Sequence, residues 1–493
     1  MTDSQPTHLG RSRRGIGHEG HQEQTRMTPT DDQVTQSSSD GRQFTRGLVA
    51  LFSLAVGVSA FWPGLPIPAR ILMFALAAGS AWVIGLTAYH AGRLRADIFR
   101  PEALAVGYVA ISFLAPLWML ETQGVAVGAL SRDIVVSPRT LTILGLSLVA
   151  FSVGCLWTFK LSKKGAENLP ATNTGRMLVI GRILLLSSLV LTAATAAQGG
   201  VATRGLDQLT RTFADSVTVY QAAAALAGLL LVLGARFAQR TSLLGFLDWA
   251  LVLGTIATLA LRGSRGDVVT LILAVLYFYS LRNGSRKVVL ISLGACVVLS
   301  LLILNYRAAA TGNRATATPS SQIIGTFAPA AFTTGATAAR IPSQSPYRLG
   351  STYVVALQRQ LPSPLANRLF GPPDDTGARQ FRSIISFDNK NQGFGFSLPA
   401  EGYMNFGLLG AVSLCGLTGL LLSFAYSRRA SGWWRTSFYW YPVLITNLPF
   451  AMRSDLLGAI KISLYPVIMI AIALALSRSS NLQQEEHRAP VRG

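Results

Sequence analysis

The chain has 493 residues, half of them apolar and only 13% charged, with a formal net charge of +21. Its hydrophobicity falls in uncharged blocks of about 20 residues, the length of a membrane-crossing helix, which excludes a soluble globular protein and makes it an all-α polytopic membrane protein. In a soluble protein this basic excess points to nucleic acid; here the loops that hold a helical bundle in orientation explain much of it, and no nucleic acid partner is expected.

Residues 1–43 are Ser, Thr, Gln, Asp, Gly and Arg with hardly an apolar side chain. Such a segment cannot bury enough surface to fold, and it is expected to be a disordered cytoplasmic tail. It also precedes the first apolar run by too far for an ordinary signal peptide. Apolar blocks then predict about twelve transmembrane helices, at 47–66, 70–91, 103–121, 139–159, 177–197, 218–235, 243–261, 267–281, 288–304, 402–426, 434–452 and 456–477. The organisation expected is helices one to nine over 44–304, an extracytoplasmic loop domain over 305–400, helices ten to twelve over 401–477, and a second cytoplasmic tail over 478–493. Lysines and arginines favour the loops that share a side with the first tail, among them Lys160, Lys163, Lys164, Arg282, Arg286 and Lys287. That bias places both termini in the cytoplasm. The large loop carries Tyr347, Tyr353, Phe381 and Phe396, so order is expected within it, with 347–360 the best helix.

Between two apolar runs lies Arg262-Gly263-Ser264-Arg265-Gly266-Asp267. Charges at such a place are expensive and mark a functional hypothesis. Glycines let the backbone turn tightly, and the next helix adds its positive N-terminal end. Two guanidinium forks beside that end suit a phosphate or diphosphate. The following run is only about 14 residues, roughly 21 Å, so the turn is expected below the membrane surface. Arg307, Glu401, Arg453 and Asp455 fall at a similar height, and Asn405 lies one helical turn beyond Glu401 on the same face. Plainer readings stay open for each. An arginine at a rim can snorkel to headgroups, and Asp267, Glu401 and Asp455 each suit the first turn of a helix without chemistry. Lys461 sits inside the last span and should face a partner or a cavity.

Several signals carry little. Cys155, Cys296 and Cys415 lie in apolar runs without ligand spacing and read as small buried hydrophobes. Asp374-Asp375 stands in a Gly/Pro turn, and no metal or other cofactor is called for. The histidines fall on the inner side, so an outward base should be a carboxylate. No phosphate-binding loop of an ATPase exists.

The run Glu401-Gly402-Tyr403-Met404-Asn405-Phe406-Gly407-Leu408-Leu409-Gly410 resembles the Glu-x-Tyr-x-Asn-Phe-Gly-x-x-Gly signature of oligosaccharide repeat-unit polymerases, the Wzy-type polymerases of O-antigen and exopolysaccharide. The Arg262–Asp267 turn is similar to the basic turn of such proteins, and Arg453-Ser454-Asp455 to a later Arg-x-Asp element. The resemblance covers roughly 140–475. It implies a metal-independent glycosyltransferase of the bacterial cytoplasmic membrane that moves a growing glycan from one polyprenyl-diphosphate carrier onto the next lipid-linked repeat. Arg262, Arg265, Arg307 and Arg453 would hold the diphosphate. Glu401, or else Asp267, would act as general base, while Asn405, Tyr403 and Asp455 would orient sugars. Membrane lipids, a flippase and a chain-length regulator are the partners it implies. A lipid-linked oligosaccharide flippase and a ligase that delivers finished glycan are the competing readings; a flippase should carry its charges near the bilayer midplane and show two related halves, which this chain does not.

Overall fold

The computed structural model describes residues 66–91, 99–123, 137–156, 173–199, 211–261, 264–283, 286–310, 327–361, 363–371, 376–385, 396–429 and 436–477. Both tails, almost all of the expected first span, and Arg262 of the basic turn lie outside them. The described residues are helical, with no strand. In chain order the helices are α1 (Ile67–Ala91), a π turn (Pro101–Ala105) leading into α2 (Val106–Gln123), α3 (Pro138–Leu156), α4 (Thr174–Gly199) and α5 (Arg211–Ala238). Then come α6 (Phe246–Leu261), α7 (Arg265–Asn283), α8 (Arg286–Ala310), α9 (Pro329–Arg340), α10 (Ser351–Gln358), α11 (Ser363–Phe370) and α12 (Gly377–Ile385). The series closes with α13 (Leu398–Arg428), α14 (Ser437–Ala451) and α15 (Leu456–Leu476). Every expected span from 70–91 onward falls on a helix. Among the described residues six stretches are long and apolar enough to cross a membrane, and three shorter helices are apolar.

Apolar helices gain little from hiding one another in lipid, so close packing of small residues has to hold them together. α3 and α13 meet in that way: a Cβ on Gly154 would lie 2.4 Å from the Gly416 carbonyl oxygen. α4 and α5 cross at Gly181 and Gly228, each within 3 Å of the other's carbonyl oxygen by the same measure. A charged clamp joins α4, α5 and α6. Asp248 is fully buried; it accepts from Arg182 Nε at 2.7 Å, from Arg236 Nη2 at 3.0 Å and from the Gly245 N–H at 2.9 Å.

Among its described residues, the stretch expected as one large loop contains four helices. The first, α9, is alanine- and threonine-rich, buried from Ala330 to Ala338, and packs against α2, α3 and α13. α10 starts at Ser351, after Gly350 turns the chain at φ +86°, and covers most of the helix expected at 347–360.

α13 is two helices joined at a corner. Phe406 and Gly407 depart from helical geometry, Gly407 at φ +63° and ψ −148°, a conformation open to glycine alone. The chain doubles back there, so that Gly402 packs on Gly410 and Ala411; a Cβ on either glycine would strike the other's carbonyl oxygen. The short arm, 398–405, therefore runs down beside the start of the long arm. Its end is capped by the 348–350 strand of chain, with Arg348 and Leu349 N–H donating to the Met404 and Asn405 carbonyls at 3.0 and 3.1 Å.

Candidate active site at the connection between α14 and α15

The connection Met452–Asp455 is the meeting point of five elements. Asp455 is the N-cap of α15: its Oδ1 accepts from the Gly458 N–H at 2.9 Å, which satisfies one of the donors a helix start leaves open. Its Oδ2 lies 3.4 Å from the Ala378 N–H, at the start of α12. Glu401, carried down on the short arm of α13, reaches the same helix end. Its Oε2 accepts from the Leu456 N–H at 2.5 Å, and its Oε1 from the Thr352 hydroxyl of α10 at 2.7 Å. The α15 N-terminus favours a negative charge there. Glu401 is wholly buried and forms none of the ion pairs found among the described residues. The Asp455 carboxyl acts on it electrostatically. Gly377 lies directly over it, where a Cβ would fall 2.8 Å from Oε1.

Arginines gather on the other side of this connection. α7 packs along α14, with Thr270 donating to the Thr446 carbonyl at 3.2 Å and Gly266 against the Phe450 ring. That pairing brings Arg265, the first residue of α7, toward Arg453, and both act electrostatically on the Tyr108 hydroxyl of α2. Tyr108 itself donates to the Pro449 carbonyl at 3.2 Å, near the end of α14. The Arg453 Nε is buried without a hydrogen-bond partner among the described residues. Burial lowers the Arg453 pKa from the ordinary arginine value, and Tyr108 opposes that shift. A guanidinium held this way favours an anionic guest over an empty site.

The remaining sequence candidates divide. Asp267 accepts a very short hydrogen bond from the Ser264 hydroxyl, in the first turn of α7, and lines a narrow cleft with Thr270, Asn447, Phe450 and Ile462. Since α7 begins at Arg265 and has 19 residues, about 28 Å, Arg265 stands in the first helical turn and not in a loop. Of Arg307 the structure describes the backbone alone, in the last turn of α8. Asn405 is fully buried, and its amide is fully engaged: Nδ2 donates to Thr352 Oγ1 at 2.7 Å and to the Glu401 carbonyl at 2.9 Å, and Oδ1 accepts from the Gly350 N–H at 3.0 Å. Tyr403 is buried between the Tyr347 ring, 6.1 Å away, and Arg139, whose Cζ lies 5.5 Å from its centroid.

Sequence reading did not single out Thr352 or Tyr108. Nothing in a lone threonine marks it; Tyr108 carried the weak signal of a hydroxyl inside an apolar run. Lys461 finds its setting as well, with the charges of Asp455 and Arg359 acting on it. Among the described residues no three His, Cys, Asp or Glu side chains group together.

No curated protein and no solved structure matches the chain. A family model described as O-antigen polysaccharide polymerase Wzy matches residues 136–485, well over half of the sequence and all of the site just described except Tyr108. The chain thus belongs to the Wzy family of O-antigen polysaccharide polymerases, as multi-pass membrane proteins of polysaccharide synthesis.

Proposed function

We propose that the chain joins polyprenyl-diphosphate-linked oligosaccharide repeats at the connection between α14 and α15, on the extracytoplasmic side of a bacterial cytoplasmic membrane. The observation that carries this reading is that Glu401, a buried carboxyl with no ion pair among the described residues, is bonded to the Leu456 N–H three residues past Arg453, whose buried Nε has no partner among those residues. Each is costly alone. Together they match a reaction in which a hydroxyl loses a proton while a diphosphate departs with negative charge.

In the step proposed, the acceptor sugar hydroxyl attacks the anomeric carbon of the donor glycan. Its proton passes to Glu401, whose two oxygens are fixed by Thr352 and the Leu456 N–H. The bond from the anomeric carbon to the diphosphate oxygen breaks, and the lipid diphosphate leaves. Arg453 and Arg265, together with Arg262 and Arg307, stabilise that charge where it develops. Asp455 holds the start of α15, and Asn405 and Tyr403 set the angle of the arm that carries Glu401. Asp267 is the alternative base; its bond to Ser264 ties it to a helix start. No metal is needed for this charge balance. A flippase and a chain-length regulator are the protein partners this reading would place beside it.

Replacing Arg265 by Ala and by Lys tests the proposal through surface glycan length and the pool of lipid-linked repeats. The expected result is that single repeats persist while long chains vanish. Repeats held on the inner leaflet would indicate a flippase instead, and finished glycan left on its lipid carrier would indicate a ligase. Normal chain lengths in both variants would remove Arg265 from the mechanism.

A further inference from the structure

The segment 349–371 turns an unusual number of large apolar side chains outward for a chain facing water. Val354, Leu357, Leu361, Leu365, Leu369 and Phe370 all point outward, Leu357 65% and Leu369 58% exposed. Of its polar groups, Ser351, Asn367 and Arg368 face outward, while Thr352 and Arg359 turn inward. Thr352 donates to Glu401, and Arg359, 7% exposed, donates to the Asn367 side chain and the Gly371 carbonyl, each at 2.5 Å. The arginine thereby ties α10 to the end of α11.

Its depth can be read from a neighbour. The hydroxyl of Tyr465 donates to the Gln360 carbonyl at 2.9 Å. Tyr465 lies nine residues past Leu456, the first residue of α15, about 13 Å along a helix whose 21 residues match the roughly 30 Å of a bilayer core. A tyrosine side chain leans back toward the helix start, which shortens that depth without cancelling it. The turn after α10 is therefore carried well below the mouth of α15. On the same helix Leu464, Ile468, Ile472 and Leu476 form the outward apolar stripe expected of a lipid-facing span. At the other end, Gly350 sits against the Phe406 ring at the corner of α13, beside Leu409, 73% exposed, where that helix begins its own lipid stripe.

We propose that residues 349–361 and 363–371 form a re-entrant element, dipping into the bilayer from the side of the Glu401 site and returning to it, with its outer face against phospholipid acyl chains. Irregular backbone at that depth survives only where its polar groups are satisfied internally, and the bonds from Arg359 and Tyr465 do this for Gly371 and Gln360.

Spin labels placed singly at Leu357→Cys and Leu365→Cys, with Cys155, Cys296 and Cys415 replaced by Ala, test it in vesicles of phosphatidylcholine and phosphatidylglycerol. The reference is a label at Ile468→Cys on α15. Collision rates with molecular oxygen and with a water-soluble nickel complex report depth. The expected result is that both positions favour oxygen over nickel, as Ile468 does. Nickel accessibility equal to or above that of oxygen at both positions would overturn the proposal. Should the cysteine-free background fail to fold, Leu357→Asp and Leu365→Asp in the native chain replace it: a bilayer location predicts loss of folded protein from membranes, and unchanged levels of both would contradict it.

Discussion

Two buried carboxylates, Asp248 and Glu401, stand in opposite circumstances. Asp248 receives two guanidinium groups and a backbone N–H, so every oxygen lone pair that matters is matched, and three helices are clamped by it. Glu401 receives a hydroxyl and a backbone N–H, while Arg453, at the same connection, has an Nε without a partner among the described residues. A compensated charge within a bundle organises it; an uncompensated one persists because something outside the protein completes it. The first pattern is architecture; the second is what the proposed reaction site would need.

The comparison breaks if the two carboxylates behave alike. Glu401→Gln keeps the shape and removes the base, so polymer synthesis should fall by about 10²–10⁴-fold while the protein unfolds near the wild-type temperature. Chain-length analysis with a thermal melt in detergent checks both halves; long chains made normally by this variant would end Glu401's role. Asp248→Ala should do the reverse. Two guanidinium groups would face each other unmatched, at a cost of about 3 kcal/mol, the low end for a broken buried pair because Arg182 and Arg236 are 28% and 18% exposed. The melt should drop, and the folded fraction should still polymerise. Pairing Asp248→Leu with Arg182→Leu sharpens the point, since an apolar substitute of similar volume should recover part of that loss. Arg453→Lys is expected to have the smallest effect: charge is kept, the fork is lost, and synthesis slows about tenfold, the worth of one charged hydrogen bond.

Much of the architecture was legible before any fold was seen. Helices from 70–91 onward lie where apolar blocks placed them, because bilayer thickness constrains each block separately and locally. The basic turn was legible for the same reason: charge inside an apolar context stands out. Its geometry was less so. The 14-residue apolar run predicts a short span with its turn below the membrane surface, whereas the helix extends to Arg265 and Asn283, since Ser264 and Asp267 close its first turn. The signature around Glu401 was recognised as a pattern, and the structure supplies its mechanics. Asn405 caps a strand of chain, Gly407 takes a conformation only glycine allows, and Gly402 with Gly410 permits two arms to touch. The aromatic residues of the large loop predict some order there; among its described residues four helices occupy it, one of them inside the bundle.

The amino-acid order by itself determined that this is a helical membrane protein and which residues are too polar for their surroundings, because transfer into lipid is a property of each side chain and its near neighbours. Only the tertiary structure decided which of those residues meet. Glu401 finds Leu456 and Thr352, Tyr108 finds Arg453 and Arg265, and Gln360 finds Tyr465, each across separations that no periodicity encodes. Helix crossings set by glycine contacts, and one corner at Gly407, settle those meetings, since a shift of a single helical turn would send each side chain to a different partner.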